Sequence, residues 1–320
     1  MLGVERSTQK VQIVFVWNTL PHSSTTDSEP TTASELHMQT LLTWLFASKK
    51  QRKLFHSVWV HFHPASKHVN AITGRDENSW RLLHGPDMIE ERLLNAGMFE
   101  ASGVTPVLRF PPNVFRQANI DSFSNIIREI RKWVIPNGKC VELYGGVGTI
   151  GLHCLDLVSS LSCSDENPYN LACFEKSVKE MPKEYRGKAI YRSLPASQVA
   201  TTGGLRNCDT IIVDPPRKGL DDEVIQALLS PPVLNGGKFT RMRSVLIYVS
   251  CGFKAFRRDI ERLTNAENNN PDTLASLPIN QLQNSNGNQS NCWNLVHVEG
   301  HVLFPGSDHI ETLAIFERNF

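Results

Sequence analysis

The residues with the clearest chemical potential sit at the ends of apolar runs. Tyr248-Val249-Ser250-Cys251-Gly252 is a β-branched run that finishes on a single cysteine, where a parallel-sheet strand would open into its loop. His309-Ile310-Glu311, after Phe304-Pro305, puts a carboxylate at the start of the last strand. A second acid, Asp214, closes Ile211-Ile212-Val213, and Val141-Glu142-Leu143-Tyr144 breaks into the turn Gly145-Gly146-Val147-Gly148. A sulfur nucleophile, two acids and a nucleotide-type loop, all at strand ends, are the parts of an enzyme site. Each has a plainer reading when taken alone. Cys251 would serve as a small buried hydrophobe, Glu311 as a solvated strand start, and Gln117 as a polar group near a helix cap.

The loop from Glu142 to Thr149 carries glycines where backbone must pass close to a ligand. Gly146, Gly148 and Gly151 satisfy the Gly-x-Gly-x-x-Gly spacing of dinucleotide sites, and Asp165, with Glu166 in reserve, lies about 20 residues on, where a carboxylate binds ribose hydroxyls. The acid ahead of the loop, Glu142, instead resembles the S-adenosylmethionine-dependent methyltransferases, whose cofactor has no phosphate. Glycine spacing does not separate the two. Asp214-Pro215-Pro216-Arg217-Lys218-Gly219 tips the balance: prolines after a buried strand hold a rigid, donor-free backbone beside the cofactor while Asp214 projects into the cleft. Similar enzymes that methylate exocyclic amines carry an aromatic ring after the two prolines. Arg217 stands there, which argues against amine methylation.

The elements that must hold these residues follow from periodicity. Residues 10 to 18 alternate like a half-buried strand, Ser34-Glu35 caps a helix with Leu36, Leu41, Leu42, Trp44 and Leu45 at its apolar positions, and His56 to Phe62 alternates again. His68-Val69-Asn70-Ala71-Ile72 reads as a short partner strand before a turn at Gly74-Arg75-Asp76. Pro111-Pro112 marks a boundary, giving a small α+β domain over 1–112 and a larger domain over 113–320. A helix is predicted from about Ile120 to Val134 on the stripe Ile126, Ile127, Ile130, Val134. From Cys140 the chain alternates strand, turn and helix, with strands near 140–144, 161–164, 188–192, 209–214 and 244–250. That is the signature of an α/β, Rossmann-like, doubly wound and mostly parallel sheet. The Asn-, Gln- and Ser-rich tract at 264–292 is too polar to bury and is read as a disordered insertion, before closing strands near 293–303 and 309–317.

Composition bounds the partners. With 33 basic and 32 acidic residues the net charge is +1, so no global field attracts nucleic acid. Contact with RNA must rest on local clusters at Lys49 to Lys53, Arg128 to Lys132, or Lys254 with Arg257 and Arg258, each of which alone reads as a solvated helix face. The seven cysteines show no two-residue spacing of metal ligands, and His56, His61 and His63 fit packing roles better than ligation, so no metal is expected. No apolar run is long enough to span a bilayer and no signal peptide is visible, so no membrane partner is expected. Cytoplasmic residence is the default, with a chloroplast or mitochondrion the alternative should a targeting segment precede Met1. The abrupt opening on a strand-like segment leaves room for a longer parent chain.

Four separated motifs together resemble the RNA uracil-5-methyltransferase family, which makes 5-methyluridine in transfer and ribosomal RNA. They are Phe115-Arg116-Gln117-Ala118-Asn119, the Glu142 to Thr149 loop, Asp214 to Gly219, and Ser250-Cys251 with Phe304-Pro305 through Glu311. The match spans roughly 113–320, and Asn70-Ala71-Ile72 with His84-Gly85-Pro86 extends it loosely into the family's small central domain. The chain departs from the family at Gly252, where asparagine is usual, at Gly145, and in lacking the N-terminal RNA-binding barrel and iron-sulfur cysteines of some members.

The resemblance implies a class I methyltransferase fold, a monomer, S-adenosylmethionine as cofactor and a tRNA or rRNA substrate. It implies Cys251 as nucleophile, Glu311 as proton acceptor, and Gln117, Tyr144, Gly146, Gly148, Asp165 and Asp214 around the cofactor. Carbon 5 of uracil is too poor a nucleophile unaided. A thiolate adding to carbon 6 makes an enolate whose carbon 5 takes the methyl group, and a base then removes the carbon 5 proton. A cysteine with an ordinary pKa of about 8.5 needs help to ionise, and Lys254, Arg257 or Arg258 would supply it. The target base must leave its stack. A noncatalytic RNA-binding remnant of the same fold is the alternative, and cytosine-5 methylation is disfavoured because no cysteine adjoins Pro215-Pro216.

Overall fold

The computed structural model describes residues 2–17, 33–63, 79–97, 99, 103–230, 243–264, 292–307 and 309–319. The strand expected at 68–72, the turn after it, and all but the ends of the 264–292 tract lie outside them. The chain forms two compact units, Met1–Glu91 with Arg109–Arg116, and Arg92–Leu108 with Gln117–Phe320. The boundary read at Pro111-Pro112 falls inside the Arg109–Arg116 segment.

In the first unit β1 (Leu2–Glu5), β2 (Lys10–Trp17), β3 (Phe55–Phe62) and β4 (Trp80–His84) form one sheet in that order. Only the β2–β3 pair is parallel. A parallel pair needs a crossover, which α1 (Ala33–Leu45) and α2 (Lys49–Leu54) supply. The Ser48 hydroxyl accepts from the Gln51 N–H at 3.2 Å while the Gln51 side chain accepts from the Ser48 N–H at 3.0 Å, a capping box. The basic run Lys49 to Lys53 lies on this helix, which buries no residue. Helix α1 turns Met38 and Leu45 inward, whereas Leu36 and Trp44 are exposed. The histidines are used in packing and pairing: His56 lies 3.3 Å from Glu5 and 2.9 Å from the Met88 carbonyl, and His61 stacks on Trp80 at 4.1 Å. β5 (Ile89–Arg92) and β6 (Val107–Phe110) make a separate two-stranded sheet.

The second unit holds a seven-stranded sheet. Its strands are β7 (Lys139–Leu143), β8 (Ser160–Ser164), β9 (Ala189–Arg192), β10 (Thr210–Val213), β11 (Arg243–Ser250), β12 (Asn294–His301) and β13 (Glu311–Asn319), in the order β12-β13-β11-β10-β7-β8-β9. The five strands β7 to β11 run parallel, and β13 inserts antiparallel between β11 and β12. The connecting helices are α4 (Tyr169–Lys179), α5 (Lys183–Arg186), α6 (Ala196–Thr201), α7 (Asp222–Leu229) and α8 (Phe253–Thr264), with α3 (Ile120–Trp133) preceding the sheet. Alternation sends Val141, Leu143, Ile211, Val213, Leu246 and Tyr248 to one core face, where Val199, Val224 and Phe256 cover them. Ile212 and Ile247, pointing the other way, are equally buried, as expected of a sheet covered on both sides.

Helix α3 carries the expected stripe, with Ile126, Ile127, Ile130 and Val134 all buried. Its basic run is not wholly solvated: the Arg131 guanidinium forks onto Asp156 at 2.7 and 2.9 Å and binds the His153 carbonyl. Trp293, 1% exposed, donates its indole N–H to the Leu228 carbonyl at 3.0 Å under the Arg318 guanidinium. The chain leaves α8 and returns at one point, because the Trp293 N–H donates to the Leu263 carbonyl at 3.1 Å.

Candidate active site

The register of the large sheet assembles the residues that the sequence singled out. Val213 pairs with Leu143 and with Tyr248, and Leu143 pairs with Ser164. One residue beyond those strand ends stand Tyr144, Asp165 and Asp214, side by side at the carboxyl edge of the parallel strands. Ser250 pairs with Thr312 across the antiparallel β11–β13 ladder. Continued by one residue, that ladder sets Cys251, just past the end of β11, beside Glu311, the first residue of β13. Sixty residues of separation thus close to one rung.

The two sides of this edge differ in polarity. Glu311 is 6% exposed and its Oε1 has no hydrogen-bond partner among the described residues. Burial raises its carboxyl to about 7, and Arg217 opposes the rise. Asp214, less covered, has its carboxyl pushed well up by desolvation and then by the charges of Glu311, Glu142 and Asp165. Cys251 is half-buried. Burial, then Glu311 and then Asp214 push its thiol up, with Arg217 pulling the other way. The thiol therefore rests protonated among carboxyls that compete for the same protons. Five other cysteines, Cys140, Cys154, Cys163, Cys173 and Cys208, are buried, which leaves them inert packing groups.

Of the cations expected to favour the thiolate, Lys254 is exposed and the two arginines are engaged elsewhere. Arg257 bonds Glu261 at 3.1 Å one helical turn away, and Arg258 donates to the Lys218 carbonyl at 2.7 Å and to Asp259 at 3.2 Å. The cation that acts on both Cys251 and Glu311 is Arg217. Its signal was present in the sequence as the residue replacing the aromatic ring after the proline pair. Gly252, the departure beside the cysteine, has a packing cause: a Cβ there would stand 2.7 Å from the Arg217 carbonyl oxygen.

On the other side the acids take backbone donors, although Glu142 Oε2 has no partner among the described residues. Asp165 accepts the Gly146 N–H at 3.0 Å and the Asn167 N–H at 2.8 Å, and burial still holds its carboxyl above the ordinary value. Glu142, 1% exposed, accepts the Ile150 N–H at 3.3 Å and is raised by burial to about 7. The glycines divide by cause. A Cβ on Gly145 would meet Cys163 at 2.5 Å, on Gly148 Phe174 at 2.6 Å, and on Gly151 Glu142 at 2.5 Å, so packing excludes side chains there. Gly146, at φ +55°, faces open space. It is the point of the loop where a ligand can approach backbone.

Tyr144 adopts φ +56°, unusual for a residue with a Cβ, and its hydroxyl donates to Asp221 at 2.9 Å. Gln117, half-buried, precedes Asn119, whose side chain accepts the Ser122 N–H at 3.1 Å and donates to the Leu303 carbonyl at 2.8 Å. The motif thus starts α3 and ties its cap to the segment leading to Glu311. Open backbone at Gly146, a half-buried carboxylate at Asp165 and the ring of Tyr144 form a donor set that fits a nucleoside with hydroxyls and no phosphate. Among the described residues no group of side chains could hold a metal ion, and no helix is long and apolar enough to cross a membrane.

Comparisons with known proteins bear on the family and the fold. An uncharacterised RNA methyltransferase of Protochlamydia amoebophila is 32% identical over 315 residues, covering 98% of this chain and 66% of that protein. The 23S rRNA (uracil(747)-C(5))-methyltransferase RlmC of Salmonella typhimurium is 24% identical over 65% of this chain and 45% of its own length. Among solved structures, the tRNA (uracil-54, C5)-methyltransferase of Pyrococcus abyssi in complex with S-adenosyl-L-homocysteine superposes with a TM-score of 0.59 at 19% identity, over 98% of this chain and 58% of that one. That likeness shows the fold. No family model matches the chain. The chain spans at most about two thirds of the length of these relatives.

Proposed function

The chain belongs to the RNA uracil-5-methyltransferase family, and from that premise we propose that it methylates carbon 5 of a uridine in tRNA or rRNA, with S-adenosylmethionine as donor. The observation that carries this reading is the β11–β13 ladder, whose last pair Ser250–Thr312 puts Cys251 next to a buried Glu311 whose Oε1 has no partner among the described residues. The bound donor supplies an electrophilic sulfonium methyl group. Asp165, Tyr144 and the open backbone of Gly146 hold its nucleoside end, with Asp214 beside them and Gln117 at the head of α3.

The Cys251 sulfur, as thiolate, bonds to carbon 6 of the target ring, and the electron pair displaced from the 5,6 double bond makes carbon 5 nucleophilic. Once carbon 5 carries the methyl group, Glu311 accepts the carbon 5 proton. The carbon–sulfur bond then breaks, the double bond re-forms and the thiolate leaves. Glu311 suits this task because a carboxyl poised at about 7 accepts and returns a proton near neutral pH. Arg217 compensates part of the negative charge on the thiolate and carboxylate while the ring is bound.

The noncatalytic alternative rests on Gly252 and on the missing RNA-binding barrel; at Gly252 a Cβ would stand 2.7 Å from the Arg217 carbonyl oxygen, so packing gives the glycine a cause. Single-turnover transfer from labelled S-adenosylmethionine to bulk RNA tests the reading, with 5-methyluridine expected as the product. Label in any other nucleoside, or none with the full-length protein, would overturn it.

A further inference from the structure

Asp259 is a titratable group with no part in the chemistry above, yet it is fully buried on α8, 0% exposed. A buried carboxylate is retained only where hydrogen bonds and a charge partner offset its desolvation. Its Oδ2 accepts the Leu220 N–H at 2.7 Å and the Tyr248 hydroxyl at 2.9 Å. Its Oδ1 accepts from Arg258 at 3.2 Å, and the same Arg258 nitrogen donates to the Lys218 carbonyl at 2.7 Å. Gly219 between them has φ +87°, and a Cβ on it would stand 2.4 Å from Asp259 Oδ2. Three consecutive loop residues are therefore clamped from one helical turn.

That loop begins at Asp214 and carries Arg217, whose carbonyl oxygen lies 2.7 Å from where a Cβ of Gly252 would be. Rigid contact thus runs from Asp259 through Lys218-Gly219-Leu220 to Arg217 and on to the residue after the thiol. We infer that Asp259 is a positioning residue that fixes the loop carrying Arg217, through the Arg217 backbone, against Gly252 beside the thiol. It rests on the thiol chemistry proposed above, and adds a cause for the placement of Arg217, whose side chain is exposed. The groups facing the thiol are Glu311 from β13, Asp214 from the end of β10, and Arg217 from the loop. Those facing Asp259 are Tyr248 from β11, Arg258 from α8, and Tyr144 from the loop after β7.

The test is the pH dependence of Cys251 alkylation by iodoacetamide in the full chain, read by mass on the peptide that carries it. It requires neither RNA nor methyl donor, so its failure is separable from a failure to methylate uridine. R217Q is expected to move the alkylation midpoint upward by about half a pH unit. D259N is expected to move it equally, and the double variant no further. G219A, which pushes the loop off Asp259 without altering either charge, reproduces the shift if D259N does not fold. In methyl transfer D259N lowers kcat by about tenfold or more with KM for S-adenosylmethionine unchanged, and D259E restores part of it. A D259N or G219A profile superposing on the wild type, or an R217Q profile doing so, overturns the assignment.

Discussion

The two ends of this strand edge treat their acids differently. Asp165 and Glu142, beside the glycine loop, accept backbone N–H groups, though Glu142 Oε2 has no partner among the described residues, whereas Glu311 Oε1 has none there either and Asp214 is crowded by three other carboxyls. The first arrangement is what a chain does to hold a loop still. The second raises the free energy of the folded state, since unsatisfied buried groups cost about 1–3 kcal/mol, and persists only where something else uses the group. Holding and reacting are separated along one strand edge.

The contrast breaks most visibly at the reacting end. C251A is expected to lower methyl transfer at least ~10⁴-fold, the scale of nucleophile removal in other covalent enzymes, with the fold intact by circular dichroism. Retained turnover would leave the edge without its reaction. E311Q should abolish turnover while accumulating a protein–RNA adduct that survives denaturing gel electrophoresis.

The same substitution sharpens the contrast through stability. The Glu311 carboxyl rises from 4.5 unfolded to about 7 folded, so the folded chain binds the proton more tightly and loses stability as pH climbs between those values. Above about pH 7 the full penalty applies, and E311Q should raise stability at pH 8 by ~1–3 kcal/mol in urea titrations. For the wild type, single-turnover rates should climb as pH passes about 7, when Glu311 loses its proton, and continue upward as the thiol ionises. A flat profile from pH 6 to 8 would show that neither group limits the reaction.

At the holding end the effects are smaller. G148A forces a Cβ to within 2.6 Å of the Phe174 ring and should cost ~2–3 kcal/mol of stability. G146A meets only open space and should cost ~1 kcal/mol through its left-handed backbone, while weakening S-adenosylhomocysteine binding in calorimetry. Equal losses at both positions would erase the distinction between packing glycine and ligand glycine.

Much of the second unit was legible because parallel strands buried on both faces are continuous apolar runs. Thr210 to Val213 and Ser244 to Ser250 are buried throughout. Strand β13 could be located but not placed, since its insertion between β11 and β12 is decided by pairing that no local period reports. The short strands β1, β4, β5 and β6 escaped notice, being four or five residues each with mixed exposure in three of them. At the site, residue types gave Cys251, Glu311, Asp165 and Asp214. The choice of Arg217 over the α8 cations needed coordinates, because Arg257 and Arg258 are captured by neighbours that no spacing rule assigns. Asp259 and Asp221 were invisible for the same reason.

The clasp between Trp293 and Leu263 has a practical consequence for anyone handling this protein. The chain departs from α8 and re-enters the core across a single 3.1 Å hydrogen bond, with the indole of Trp293 pinned beneath Arg318. Trp293 latches three distant stretches at once, its backbone on Leu263, its indole N–H on the Leu228 carbonyl and its ring under Arg318, so W293A should loosen all three together.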